Sequence, residues 1–103
     1  MNKPLICIVL GTRPEAIKLA PVIIKFQESN NFLIKIISTG QHLEMVEDVF
    51  NTFNLKIDIN LEIMKFNQSL NYMTSKILEK LVEIFSDLNP SLVIVQGDTS
   101  SAF

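Results

Sequence analysis

Arg13, Lys18 and Asp98 are the charged residues best placed to do chemistry, because each stands at or just beyond a glycine turn. Arg13 belongs to Gly11-Thr12-Arg13-Pro14-Glu15-Ala16-Ile17-Lys18, which directly follows the apolar run Leu5 to Leu10. A strand, a tight turn and a helix start in that order leave the first helical amides without an internal partner and pointing outward. Gly11, Thr12 and Arg13 therefore form a candidate anion-binding turn. Lys18, one turn into the helix, adds a second fixed positive charge. The arrangement suits a phosphate or diphosphate. It is also what a plain strand-to-helix connection with a surface arginine looks like, and the residues alone leave both readings open. Asp98 follows Gly97 and the apolar run Leu92 to Val95. It reads either as an acid/base candidate or as the N-cap of a following helix.

These residues need elements to hold them. Leu5 to Leu10 is apolar on both faces and bounded by glycine, the pattern of a strand covered on both sides in a parallel sheet. Thr12 and Glu15 have capping-box spacing, so each side chain is expected to bond the other's backbone amide. Pro14 falls in the first helical turn, where a missing N–H costs nothing. The helix should run to about Ser29 with Ile17, Ala20, Ile23, Ile24 and Phe26 or Gln27 inward, kinked near Ile17 by Pro21. Asn30-Asn31 turns the chain into a second strand, Phe32 to Thr39, with Lys35 out of place on one face. Gly40-Gln41-His42 closes it. A second helix carries Leu43, Val46, Val49, Phe50 and Phe53 at helical spacing, with Glu44, Glu47 and Asp48 in its first turns favouring the positive end of the dipole.

Asn54 to Asn60 suits a short third strand at a sheet edge, from the alternation of Ile57, Ile59 and Leu61 with Asp58 and Asn60. Glu62 to Gln68 reads as a loop. Ser69 is a candidate N-cap for the longest helix, whose inner stripe is Leu70, Met73, Ile77, Leu81, Ile84 with Phe85, and Leu88. Asn89-Pro90 ends that helix, and Leu92 to Val95 forms a fourth strand apolar on both faces. The order β-α-β-α-β-α-β is that of an α/β fold with a doubly wound parallel sheet. The fourth strand looks central yet has no successor within the 103 residues. Residues 1–103 are therefore expected to be part of one domain of a larger protein, by excision or by gene truncation.

In the common doubly wound order the first four strands lie 3-2-1-4, and ligands bind outside the carboxyl ends where the chain reverses direction. That topology brings Gly11-Thr12-Arg13 and Gly97-Asp98-Thr99 together. It is not a dinucleotide fingerprint: G-x-G-x-x-G is absent, and no acidic residue ends the second strand to hold a ribose. The net charge of -2, with no basic stripe, argues against nucleic acid as a partner. Cys7 is the single cysteine, which excludes an internal disulfide and a cysteine-based metal site, and its apolar strand marks it as a buried structural thiol. The first apolar run is too short to span a membrane and ends without a signal-peptide cleavage site, so a cytoplasmic protein is expected.

Taken together, three motifs carry a family resemblance. Gly-Thr-Arg-Pro-Glu-Ala-Ile-Lys at 11–18 followed by Ala20-Pro21, Thr39-Gly40-Gln41-His42 leading into Glu44-Met45, and Gly97-Asp98-Thr99 resemble the opening of the non-hydrolysing UDP-N-acetylglucosamine 2-epimerases. The likeness spans the chain but covers only the front of the family's first domain. It implies a truncated Rossmann-like domain of the two-domain GT-B arrangement, the second domain lying beyond Phe103. It implies interconversion of UDP-GlcNAc and UDP-ManNAc: a base takes the C2 proton, UDP departs to leave 2-acetamidoglucal, and reprotonation from the other face with re-addition of UDP inverts C2. The product would feed surface polysaccharide synthesis.

Carried over by motif, Arg13 with Gly11 and Thr12 would bind the UDP diphosphate, and Asp98 and Lys18 would be catalytic. A departing diphosphate needs cationic and amide stabilisation, and proton transfer at carbon needs a positioned acid or base. The resemblance implies no NAD, no other cofactor and no metal, and a homodimer in the full-length protein. Gln41 and Glu44 match positions that contact a second, regulatory UDP-GlcNAc in bacterial members. Asn67 replaces a basic residue that some members carry, which weakens that implication. His42 reads as a structural helix-start residue. Later catalytic residues of the family lie beyond Phe103, so the isolated chain is expected to be inactive. The competing readings are a non-catalytic remnant that binds phosphate or supplies a dimer surface, an epimerase of a related UDP-diacetamido sugar, a hydrolysing 2-epimerase, and a GT-B glycosyltransferase, which would not be expected to carry the first motif.

Overall fold

A computed structural model describes residues 3–63 and 69–95. Within them the chain forms β1 (Leu5–Leu10), α1 (Arg13–Ser29), β2 (Leu33–Ser38), α2 (Leu43–Thr52), β3 (Ile59–Asn60), α3 (Leu70–Leu88) and β4 (Leu92–Val95). The four strands make one parallel sheet in the order β3-β2-β1-β4. The expected reversal between β1 and β4 is therefore present, with Val9 in register with Val95.

Alternation along β1 builds two cores. Ile6, Ile8 and Leu10 join Ile36 against α1 and α2, where Ala16, Leu19, Ala20, Ile23, Val46 and Phe50 are buried. Cys7 and Val9 join Ile37 on the other face against Met73, Ile77 and Leu81 of α3. The doubly apolar sequence of β1 thus reports helices on both sides of the sheet. Cys7 is fully buried, and that burial pushes its thiol pKa up against a smaller opposite pull from Lys35. Lys35 lies beside Cys7 in register and stays exposed, which resolves the irregular charge in β2.

Several local expectations are corrected. The inner stripe of α1 is Glu15, Ala16, Leu19, Ala20 and Ile23, and Ile17 is 46% exposed. The helix starts at Arg13 and buries its stripe against β1 and β2, which rotates Ile17 outward. It continues through Pro21 to Ser29 and ends on Asn30 in the left-handed region, φ 58°. The third strand is only two residues long. Asn54 at φ 58° and the bond from the Leu55 N–H to the Phe50 carbonyl keep the chain wrapped under α2 until Leu55. The Asp58 carboxylate then accepts from the Ile36 N–H at 2.7 Å, taking the place of a ladder carbonyl. Ser69 caps α3 as expected, accepting from the Tyr72 N–H at 3.0 Å. Phe53, expected inside, is the C-cap of α2 and 40% exposed.

Candidate functional site

The carboxyl edge of the sheet is formed by the turns after β1 and β2 and the segment after β3. Gly11 is buried, Thr12 adopts an extended conformation (φ -128°, ψ 164°) and Arg13 is the first residue of α1. The expected capping box is present, with the Thr12 side chain set against the Glu15 N–H and the Glu15 side chain against the Thr12 N–H. Glu15 is 2% exposed, and its Oε1 accepts from the Gly11 N–H at 2.7 Å and the Thr12 N–H at 3.0 Å. The Thr12 half is the looser one: its buried hydroxyl oxygen makes no contact of full hydrogen-bond geometry among the described residues. The amides of Gly11 and Thr12 are thus already engaged by a side chain of α1, where the sequence alone suggested open donors.

Arg13 is exposed and lines a cleft of about 320 Å³ with Met45, Asp48, Val49 and Thr52 of α2. No local motif pairs Arg13 with that helix, since their proximity depends on how α1 and α2 pack side by side on the sheet. Lys18 is exposed, one and a half turns along α1, and lines none of the described cavities around Arg13. A larger groove of about 540 Å³ beside Pro21, Val22, Phe26 and Phe32 is mostly apolar and lies toward the opposite end of α1. A cavity bordered by Lys3, Leu5, Leu88 and Ser91 is at the amino edge of the sheet. Ligands of doubly wound sheets gather at the carboxyl edge, so neither competes with the Gly11 turn as the site.

The turn after β2 is tied to the turn after β1 by the Thr39 N–H donating to the Leu10 carbonyl at 2.9 Å. Ser38 and Thr39 are both fully buried polar residues. Ser38 Oγ accepts from the Gly40 N–H at 3.1 Å, and the Thr39 hydroxyl donates to Gln41 Oε1 at 3.2 Å. Gly40 takes φ 89° and packs against Asn60 and Glu62, whose own turn is held by the Glu62 N–H donating to Asn60 Oδ1 at 3.1 Å. Gln41 therefore stands at the sheet edge on a braced turn, whereas Glu44 is exposed in the first turn of α2. Gly97, Asp98 and Thr99, and also Asn67, lie outside the described residues.

Among the described residues no cluster of three histidine, cysteine or acidic side chains could hold a metal, and no helix is long and apolar enough to cross a membrane.

A four-stranded parallel sheet wound in both directions, with a cationic helix start at its reversal point, defines a doubly wound α/β domain. Comparison with known proteins narrows the class. The family model described as UDP-N-acetylglucosamine 2-epimerase matches residues 24–103. The UDP-N-acetylglucosamine 2-epimerase of Neisseria meningitidis serogroup A is 46% identical over 95 residues, 92% of this chain and 26% of that protein. The Bacillus subtilis enzyme of the same name is 40% identical over all 103 residues, covering 27% of its length. A crystal structure of UDP-GlcNAc 2-epimerase from N. meningitidis bound to UDP-GlcNAc superposes with a TM-score of 0.89 at 44% identity, over 96% of this chain and 27% of that one. The Methanocaldococcus jannaschii enzyme in complex with UDP-GlcNAc and UDP gives 0.84 at 36% identity, over 94% and 27%. The chain belongs to the UDP-N-acetylglucosamine 2-epimerase family. It spans about a quarter of the length of the relatives it matches, in agreement with the fragment expected from the sequence.

Proposed function

We propose that residues 1–103 carry the diphosphate-binding half of a non-hydrolysing UDP-GlcNAc 2-epimerase site. The observation that carries this reading is Arg13: it opens α1 directly after β1, exposed and at the reversal point of the sheet. In the reaction the C2 proton is removed and the C1–oxygen bond to UDP breaks. Negative charge then develops on the departing diphosphate, and Arg13 and the Gly11–Thr12 turn are positioned to stabilise it. Asp98 serves as an acid or base at C2, and Lys18 is the second cation of the site. A proton is then delivered to C2 on the opposite face and the UDP oxygen re-forms its bond to C1, so atoms and charge balance without cofactor or metal. The UDP-GlcNAc complexes of the N. meningitidis and M. jannaschii proteins support this choice of ligand.

Gln41 and Glu44 are the residues of this chain assigned to a second, regulatory UDP-GlcNAc. The full-length protein is cytoplasmic and homodimeric in this reading, with Leu78 and Val82 exposed on α3 at 45% and 65% as apolar surface for a partner. Its product feeds surface polysaccharide synthesis. The chain by itself lacks the remaining catalytic groups and does not turn over.

A coupled assay for UDP-ManNAc formation tests the reading. A polypeptide carrying the remaining family length converts UDP-GlcNAc and loses solvent-proton exchange at C2 on Asp98→Asn. The 103-residue chain shows no conversion, and clear turnover by it would sink the proposal.

A further inference from the structure

We propose that Glu15 is a positioning residue of the anion site, holding the Gly11–Arg13 turn in the shape that receives a diphosphate. The proposal rests on the reading of that turn as the diphosphate site. In an ordinary capping box the acidic side chain returns to the N-cap amide alone and sits in solvent. Glu15 differs in two respects. It is 2% exposed, and the same oxygen reaches one residue further, to the Gly11 N–H at 2.7 Å as well as the Thr12 N–H at 3.0 Å. A carboxylate is buried at large cost unless it is well hydrogen-bonded, and these two bonds contribute to offsetting that cost.

The consequence for a ligand is specific. Two amides of the turn face inward to Glu15, and Pro14 at the second helical position has no N–H to offer. A diphosphate is left with the backbone N–H and the exposed guanidinium of Arg13. Clamping the Gly11 and Thr12 N–H groups onto one oxygen fixes the peptide planes that carry those donors. Glu15 touches no substrate in this account and acts through the turn.

Three variants of the chain, titrated with UDP and followed by amide NMR at a temperature where each is folded, test this. Glu15→Gln keeps a carbonyl oxygen able to accept both bonds, and UDP affinity should stay within about threefold of wild type. Glu15→Ala removes the acceptor and should weaken UDP by about tenfold, the scale of a lost buried hydrogen-bond set. Glu15→Asp keeps the charge but is one methylene short, and should behave like alanine. The Gly11 and Thr12 amide protons should move upfield in the alanine and aspartate variants and stay in place in glutamine. Should the alanine variant fail to fold, the aspartate and glutamine pair decides. Wild-type UDP affinity in folded Glu15→Ala or Glu15→Asp overturns the proposal, and so does a loss in Glu15→Gln as large as in Glu15→Asp. If Arg13→Ala abolishes UDP binding while no Glu15 variant alters it, the Glu15 role fails and the diphosphate reading stands. Absence of UDP binding by the wild-type chain overturns both.

Discussion

Replacing Gly40 with alanine should destabilise the domain through two separable effects. Gly40 has φ 89°, outside the range an L side chain adopts easily, and placing a Cβ in a left-handed conformation costs about 1–2 kcal/mol. The added methyl would also stand 2.9 Å from Asn60 Oδ1 and 2.9 Å from both the N and Cα of Glu62. Two of those three contacts are backbone, which cannot swing aside, so the overpacking adds about 1–3 kcal/mol. The sum is about 2–5 kcal/mol, a large part of the roughly 5–15 kcal/mol that holds a domain of this kind together. With a melting shift of roughly 4–8 °C per kcal/mol for a chain near 100 residues, Gly40→Ala should melt at least about 8 °C lower. Thermal unfolding followed by far-ultraviolet circular dichroism reads this directly, with a urea midpoint as a check. A melting temperature within about 2 °C of wild type would refute the packing of the Gly40 turn on the Asn60–Glu62 turn.

Two further outcomes follow from the core. Phe50 is 1% exposed between α2 and the sheet, so Phe50→Ala should cost about 3–5 kcal/mol in urea unfolding, and a loss below about 1 kcal/mol would mean that α2 is not docked as described. Burial raises the Cys7 pKa, so the folded chain keeps its thiol proton at a pH where the unfolded chain has begun to lose it. Stability is then untouched below the unfolded thiol pKa of about 8.5 and declines as pH rises beyond it. Melting curves at neutral and alkaline pH should diverge less in Cys7→Ala than in wild type, and equal divergence would contradict the assignment.

Much of this architecture was legible because short-range pattern and layer position coincide. The unbroken apolar run of β1 reads as a parallel strand covered by helices, as it is, whereas β4, with the same pattern, pairs with β1 but leaves Leu92, Val93 and Val95 exposed; Ser69 and Asn89 mark the ends of α3 by their own local chemistry. What escaped the sequence depends on partners distant along the chain. Ile17 has the spacing of a core residue, but the docking angle of α1 buries Glu15 instead. The Ile57–Leu61 alternation reads as a strand, while Asp58 caps β2 through its side chain and Leu61 is buried beside α3. Gly40 could be seen as a turn residue, though not that Asn60 and Glu62 close on it. For the site, the sequence placed Arg13 at a helix start correctly. It did not show that Glu15 already occupies the amides of Gly11 and Thr12, nor that Met45, Asp48 and Thr52 border Arg13. Both facts arise from packing between helices, which no local motif encodes.

The central claim is that these residues hold a UDP diphosphate at the start of α1. A titration of the 15N-labelled chain with UDP, assigned residue by residue, tests it most directly. Shifts should concentrate at Gly11, Thr12 and Arg13, extend to the adjoining Thr39–Gln41 turn, and vanish in Arg13→Ala. Shifts confined to the opposite edge of the sheet, around Lys3, Leu33 and Ser91, or persisting unchanged in Arg13→Ala, would contradict it.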